Sequence, residues 1–304
     1  MTPTLNGGVG PPVIAVVGPT GTGKSDVGLA IAETIGGEVV NADAMQLYRG
    51  MDIGTAKLAP GERRGIRHHQ LDVLDVTQEA SVATYQRAAR ADLDAIAGHA
   101  ILVGGSGLYV RAALDSLDIP PTDPRVRARW ESYAAQHGPL AAHHRLAQVD
   151  PAAAEHILPT NARRVVRALE VNELTGAPFL AVLPERTYRM PTITIGLRRD
   201  RGELDELIAR RAEQMWADGL VEEVDGLLPL GLRDGRTART AIGYQQALAQ
   251  LDGELTQRQA IDATIAATRR FVRRQEGWFR PDPRIHWLDA ASPDLISQAL
   301  ALIR

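Results

Sequence analysis

The chain of 304 residues contains no cysteine. Disulfides and thiolate metal sites are therefore excluded, and a reducing compartment is permitted. Aromatic residues make up only 4%, too few for a nucleic-acid platform of many stacked rings. The formal net charge is −3. There is no global basic footprint, so any polyanion must be met by local clusters. No apolar run is long enough to span a bilayer. Residues 1–12 are rich in Gly and Pro and lack both a basic start and an apolar core, so they are not a signal peptide. They are expected to form a flexible tail on a cytoplasmic enzyme with no membrane partner. Lysine is scarce as well: among 34 basic residues only Lys24 and Lys57 are lysines. Against such a bias toward Arg, a retained lysine points to a role a guanidinium cannot fill, and Lys24 fits that description.

What is present is a core-forming composition, 44% apolar, which suits one large domain or two unequal ones. The chain is organised around Gly18-Pro19-Thr20-Gly21-Thr22-Gly23-Lys24-Ser25. An apolar run, Val13 to Val17, precedes it, and a helical pattern beginning at Asp26 follows. Strand, glycine-rich loop and helix are the context of a phosphate-binding loop. Glycines let backbone N–H groups turn toward an anion, and the helix behind adds its unpaired donors and positive dipole end. Lys24 supplies a point charge, and the Ser25 hydroxyl can ligate a magnesium ion held by the same phosphates.

Further along, Glu38 to Asn41 reads as a short buried strand ending at Asp43. Parallel α/β sheets gather ligands at the carboxyl ends of their strands, which puts Asp43 near the loop; a helix N-cap or a magnesium ligand is the blander role. The segment from Ala44 to Lys57 has little periodicity and many functional side chains, as suits an active-site wall. Leu71 to Leu74 is a strand candidate, with His68 and His69 placed in a solvated loop before it. Ala83 to Ala97 is an amphipathic helix, and Ala100 to Val103 a buried strand ending in Gly104-Gly105-Ser106. Many nucleotide hydrolases carry an Asp there; here the glycines allow a ligand to approach closely and Ser106 can donate a hydrogen bond to it.

From Ile119-Pro120-Pro121 the texture becomes helical, broken at Gly138-Pro139, Asp150-Pro151 and Leu158 to Asn161. Asn161 or Thr160 is an N-cap candidate for a helix carrying Arg163, Arg164 and Arg167, the last two on one face. A β pattern returns at Pro191 to Leu197, followed by a helix over Glu203 to Asp218. A second basic helix, Gln257 to Gln275, shows a cationic stripe of Arg269, Arg270, Arg273 and Arg274. Arg284 to Leu288 is the last strand. The expected architecture is thus α/β: a parallel sheet of the P-loop NTPase type flanked by helices, built from 13–119 and 190–304, with a mainly helical insertion over 120–189. From the residues alone three functions stay open: a small-molecule kinase using ATP, a transferase moving another group from a diphosphate donor to a polyanion, and a nucleotide-gated RNA-binding module without chemistry.

Several stretches together resemble the bacterial tRNA dimethylallyltransferases: the glycine-rich loop, Asp43 to Tyr48, Gly50 to Lys57, Gly104 to Tyr109, Arg164 to Glu170, Gly243-Tyr244-Gln245 and Trp278-Phe279-Arg280. The resemblance implies a donor, dimethylallyl diphosphate, held by residues 18–25 with Mg2+ on Ser25. It implies that Asp43 is the general base, that Ser106 stands where the family commonly has Thr, and that Arg211 holds the diphosphate, with Arg210 a near neighbour in register. A further family Arg is replaced here by Leu207. It implies that tRNA is contacted through its anticodon stem-loop by Asp43, Ala44, Met45, Gln46 and Ser106, by Arg127, Arg163, Arg164 and Arg167, and by Arg239, Gly243, Tyr244 and Gln245. A monomer is expected.

Overall fold

The computed structural model describes residues 10–179 and 183–304. Most of the expected tail, residues 1–9, lies outside the described residues. Two compact units form, one from the chain up to Asp115 together with Tyr188–Arg304, the other from Ser116–Thr187.

The first unit is built on a six-stranded sheet. Its strands are β1 (Val13–Val17), β2 (Glu38–Asn41), β3 (His68–His69), β4 (Ala100–Gly104), β5 (Thr192–Arg198) and β6 (Ile285–Asp289), in spatial order β3-β2-β4-β1-β5-β6. Every pairing is parallel. Strands buried on both faces must be apolar throughout, and β1 obeys: all five residues are buried. Its alternating side chains feed two cores. Val13, Ala15 and Val17 pack with Val40, Leu102, Tyr85 and Leu93, beneath α2 (Val82–Ala95) and α3 (Gly107–Leu114). Ile14 and Val16 pack with Val27, Ile31 and Ala299, beneath α1 (Lys24–Ile35) and α11 (Leu295–Ala301).

The strand expected at Leu71 to Leu74 is instead the pair His68–His69. Gln70 and Asp72 both have positive φ, 58° and 56°, and cannot continue an extended strand. Leu74 makes only an isolated bridge with Tyr48. His69 is not solvated either: its Nε2 lies 2.6 Å from Glu38.

A third core joins α7 (Arg201–Ala217), α8 (Leu220–Leu227), α9 (Tyr244–Leu251) and α10 (Gln257–Phe279) around Tyr48 and Met51. The helix α10 runs four residues past the expected Gln275 because Phe279 is buried in the sheet core.

In the second unit lie α4 (Pro124–Val149), α5 (Pro151–His156) and α6 (Ala162–Thr175). The break expected at Gly138-Pro139 is a kink inside α4, where Gly138 adopts φ 84°. Asp150 caps α5, accepting from the Ala153 amide, and Asn161 caps α6, accepting from the Arg164 amide. Ala142, Leu146, Val165 and Leu169 form the core.

Candidate active site

The site grows from three adjacent strand ends. Since β1 lies beside β4 and β4 beside β2, the loops that leave these strands at their carboxyl ends meet. After β1 the chain turns through Gly18, whose φ is 142° and where a side chain would strike the Leu197 carbonyl oxygen at 2.5 Å. Gly23 takes the left-handed conformation and caps α1. Within the loop the Thr22 hydroxyl and the Lys24 ammonium both donate to the Pro19 carbonyl, at 2.9 and 2.7 Å. The Thr20 amide is already taken: it donates to Gln275 Oε1 at 3.0 Å. An anion must therefore use the donors from Gly21 onward, with Lys24.

After β2, Asn41 shapes the turn. Its Oδ1 accepts from the Asp43 amide at 2.9 Å, and its Nδ2 donates to the Asp43 carbonyl and to that of Gln70. Asp43 is the N-cap residue of a 3-10 turn, Ala44–Leu47, yet its side chain makes no capping bond. Its carboxylate is left half-buried beside Lys24 and Arg211. Burial pushes its pKa up, and the two cations and the Met45 amide pull it back only in part. Lys24 is brought down to about 8, chiefly by burial and further by Arg211, against the pull of Asp43. Burial also lowers Arg211, and Asp43 supports its charge. Lys24, Asp43 and Arg211 thus share one electrostatic locus. Arg210 does not join it: it is exposed and pairs with Glu206 at 3.6 Å. Leu207 is half-buried and brings no charge to the helix.

After β4, the Ser106 hydroxyl accepts from the Ala44 amide at 3.2 Å. It ties the β4 end to the residue beside Asp43. The glycines before it have a packing reason of their own. A side chain on Gly104 would meet the Ala42 backbone at 2.3 Å, and one on Gly105 would meet Gln275 Nε2 at 2.3 Å. They admit protein.

Ser25 is half-buried at the start of α1 and lines a small pocket with Val39, Asn41, Gln46, Leu58, His68, Leu71 and Val103. Gln46 hands its Nε2 to the carbonyls of Thr55 and Ala56. Its neighbours Ala44 and Met45 are half-buried beside it. The second lysine holds this wall. Lys57 Nζ, buried, donates to the Tyr48 carbonyl at 2.7 Å and to Asp52 and Asp72 at 2.6 Å each. Three donors on one compact ammonium meet three acceptors, a geometry the planar fork of Arg does not match.

Several expected contact residues have other employment. Tyr244 is fully buried; its hydroxyl donates to Glu223 and its ring fills the space over Gly54. A side chain in the core cannot touch RNA. Gly243 is also buried, its amide bonded to Gln246 Oε1 at 2.8 Å. Arg127 and Arg167 converge on Glu170, which is 0% exposed. Arg167 also donates to the carbonyls of Pro120 and Pro121. Burial pushes the Glu170 pKa up, but Thr122, Arg167 and the Asp123 amide outweigh it and the carboxyl is held below its usual range. These two arginines hold the second unit together rather than presenting free charge. Arg163, Arg164, Arg239 and Gln245 are exposed, and Arg239 donates to the Arg233 carbonyl at 2.9 Å. In the α10 stripe Arg270, Arg273 and Arg274 are exposed, whereas Arg269 turns to the Asp205 carbonyl.

Sequence reasoning missed Asn41, Glu170 and Gln275 and gave Lys57 no role. The rarity of lysine was a usable signal for Lys57, and the i,i+3 spacing of Arg167 and Glu170 for the second. Nothing in the sequence marked Gln275.

Comparison with known proteins bears on this arrangement. The family model described as IPP transferase matches residues 46–282. The chain is 60% identical over 299 residues to the tRNA dimethylallyltransferase of Thermobifida fusca (strain YX), covering 96% of this chain and 94% of that one. It is 58% identical over 305 residues to that of Kineococcus radiotolerans, covering 96% of each. Among solved structures it is similar to the tRNA isopentenylpyrophosphate transferase of Bacillus halodurans, with TM-score 0.69 and 37% identity over 96% of this chain and 94% of that one. A eukaryotic dimethylallyltransferase acting on tRNA, at TM-score 0.79 and 24% identity, covers 96% of this chain and 78% of its own and shares the fold.

Proposed function

The chain belongs to the IPP transferase family and transfers a dimethylallyl group to tRNA; we propose that the donor is dimethylallyl diphosphate, that the acceptor is N6 of the adenine 3′-adjacent to the anticodon, and that Asp43 is the base. The observation that carries this reading is the shared locus of Asp43, Lys24 and Arg211 at the loop after β1.

The chemistry follows from what each group can do. The bond from C1 of the donor to its diphosphate oxygen breaks, and a bond from N6 to C1 forms. The N6 proton passes to Asp43. An exocyclic amine conjugated with the ring is a weak nucleophile, so a carboxylate within hydrogen-bond reach must orient it and accept the proton. Burial that raises the Asp43 pKa makes it a stronger base than a solvated carboxylate. The departing diphosphate is held by backbone donors of residues 21–25, by Lys24 and by Arg211, all fixed before the reaction begins. The Ser106 hydroxyl, which accepts from the Ala44 amide beside Asp43, keeps a proton it can donate to the leaving oxygen.

Among the described residues no cluster of three or more His, Asp or Glu could cage a metal. Mg2+ is commonly held by substrate phosphates and a single protein oxygen; Ser25, half-buried at the start of α1, would offer its Oγ for that role. Bound there, the ion would neutralise charge on the leaving diphosphate.

The target adenine sits in a structured anticodon loop and must be extruded to reach Asp43. Exposed Arg163, Arg164, Arg239 and Gln245 are the residues left to grip the loop. Arg163→Glu combined with Arg164→Glu is expected to weaken tRNA binding and to reduce the slope of log K against log salt by about one per lost phosphate contact. Glu170→Gln acts differently. It leaves Arg127 and Arg167 facing a neutral amide and is expected to lower the melting temperature. An unaltered salt slope in the double variant makes that face merely solvated.

No helix among the described residues is long and apolar enough to cross a membrane, and the enzyme is read as a cytoplasmic monomer. The decisive experiment incubates the protein with tRNA and labelled dimethylallyl diphosphate, and separately with labelled ATP, followed by mass analysis of the digested tRNA. Incorporation from the first donor alone is expected; a phosphorylated product would refute the reading.

A further inference from the structure

We propose that Gln275 is a positioning residue for the transfer, setting the spacing between the diphosphate loop and the strand end that carries Ser106. The inference rests on the function proposed above.

Gln275 lies on α10 and is 2% exposed. Both ends of its amide are used, each by a different loop. Its Oε1 accepts from the Thr20 amide at 3.0 Å, and its Nε2 donates to the Gly105 carbonyl at 3.0 Å. The fit is close on every side. A side chain on Gly105 would reach Nε2 at 2.3 Å and the Gly18 carbonyl oxygen at 3.1 Å, and one on Gly107 would strike Trp278, also on α10, at 2.5 Å. Beyond Gly105 the Ser106 hydroxyl accepts from the Ala44 amide at 3.2 Å, next to Asp43. A continuous path therefore runs from the diphosphate loop through Gln275 and Ser106 to the proposed base. No bond within the sheet fixes the Thr20 amide. Without Gln275 the buried Gly105 acceptor would be unmet and the half-buried Thr20 amide would lose its protein partner, and the loops that hold the two reactants would be free to drift. Such drift is costly in rate because transfer needs the reacting atoms in near-contact.

The test compares Gln275→Met, which keeps the volume and loses both bonds, with Val272→Ala, which loosens the same helix in its buried core without touching either loop. Inorganic diphosphate with Mg2+ serves as a probe of the loop apart from turnover. Gln275→Met is expected to weaken diphosphate binding and to lower kcat, each about tenfold, while tRNA affinity stays within about twofold. Val272→Ala is expected to lower the melting temperature comparably and leave diphosphate affinity unchanged. Gln275→Glu keeps the acceptor for Thr20 but sets a carboxylate against the Gly105 carbonyl. Its activity relative to the wild type should rise as pH falls from about 8 to 6, as protonation restores a donor. Wild-type diphosphate affinity in Gln275→Met, equal losses in Gln275→Met and Val272→Ala, or a flat pH ratio in Gln275→Glu would overturn the proposal. If the wild-type protein binds diphosphate and transfers nothing, the functional reading fails, and the diphosphate arm still decides the role of Gln275.

Discussion

Asp43→Ala is expected to cut kcat for prenyl transfer by about a hundredfold to ten-thousandfold, the span attributed to a positioned general base, while tRNA affinity stays within about twofold. Asp43→Asn should fall as far, since the amide keeps the shape and its own hydrogen bonds but cannot take a proton. The expectation rests on how the chain treats this carboxylate. It occupies a capping position without a regular cap; the Met45 amide, Lys24 and Arg211 support its charge, and the remaining acceptor capacity is left for something else. Its turn is held chiefly by Asn41 through the Asp43 backbone groups, so substituting the carboxylate removes only its contact with the Met45 amide and keeps those bonds. Single-turnover rates with saturating tRNA and donor would check this. Near-normal turnover in either variant would remove Asp43 from the role of base.

The second large effect belongs to Lys24. Lys24→Ala is expected to weaken use of the donor by about a hundredfold, a full charge-assisted contact in a water-poor site, with saturating turnover less affected. Arg211→Ala should act in the same direction and more mildly, because it stands beside the loop and not within it. The pH dependence separates the two. Burial brings the Lys24 pKa to about 8 in the free protein. Its charge is present below that value and lost as pH rises through it. Diphosphate binding, and kcat/KM at limiting donor, should therefore fall above about pH 8. In Lys24→Ala that limb disappears and binding is weak throughout. In Asp43→Asn it moves to lower pH, because the carboxylate that supports the ammonium is gone. A flat wild-type profile to pH 9.5 would show that Lys24 is not the group being read.

How much of this was legible in the residues depends on the range over which the determining contact acts. The loop at Gly18 to Ser25 announces itself because its motif, strand and helix are contiguous. Asp43 was placed by a rule about strand ends, and the shared locus with Lys24 and Arg211 agrees with that rule. Arg211 and Arg210 were separable only once the face of α7 was known, since adjacent residues on a helix point about 100° apart. Where the reading failed, the cause was a buried partner, most often one distant in sequence. Tyr244 was carried over as a contact residue by the resemblance, but Glu223 and Gly54 draw it inward. Arg127 and Arg167 looked like free charge because Glu170 was not recognised as buried. The strand at His68–His69 was displaced because Lys57 anchors Asp72, and the turn residues Gln70 and Asp72 break the extended run. Gln275 is the extreme case: its two partners are 255 and 170 residues away, and no local pattern encodes them.

The junction between the two units carries a consequence of its own. Asp115 and Tyr188 form an antiparallel bridge, the Ser116 amide bonds the Thr187 carbonyl at 2.8 Å, and the Arg189 amide bonds that of Leu114 at 2.8 Å. Asp115 is clasped by Arg111 and Arg284, and Arg284 stacks 3.7 Å from the Tyr188 ring. To the sheet, everything between those two residues is a single hairpin tip. Closing a longer tip costs little more than closing a short one, about 0.6 kcal/mol per doubling. Evolution could therefore enlarge, shrink or exchange the helical appendage without renegotiating the catalytic scaffold.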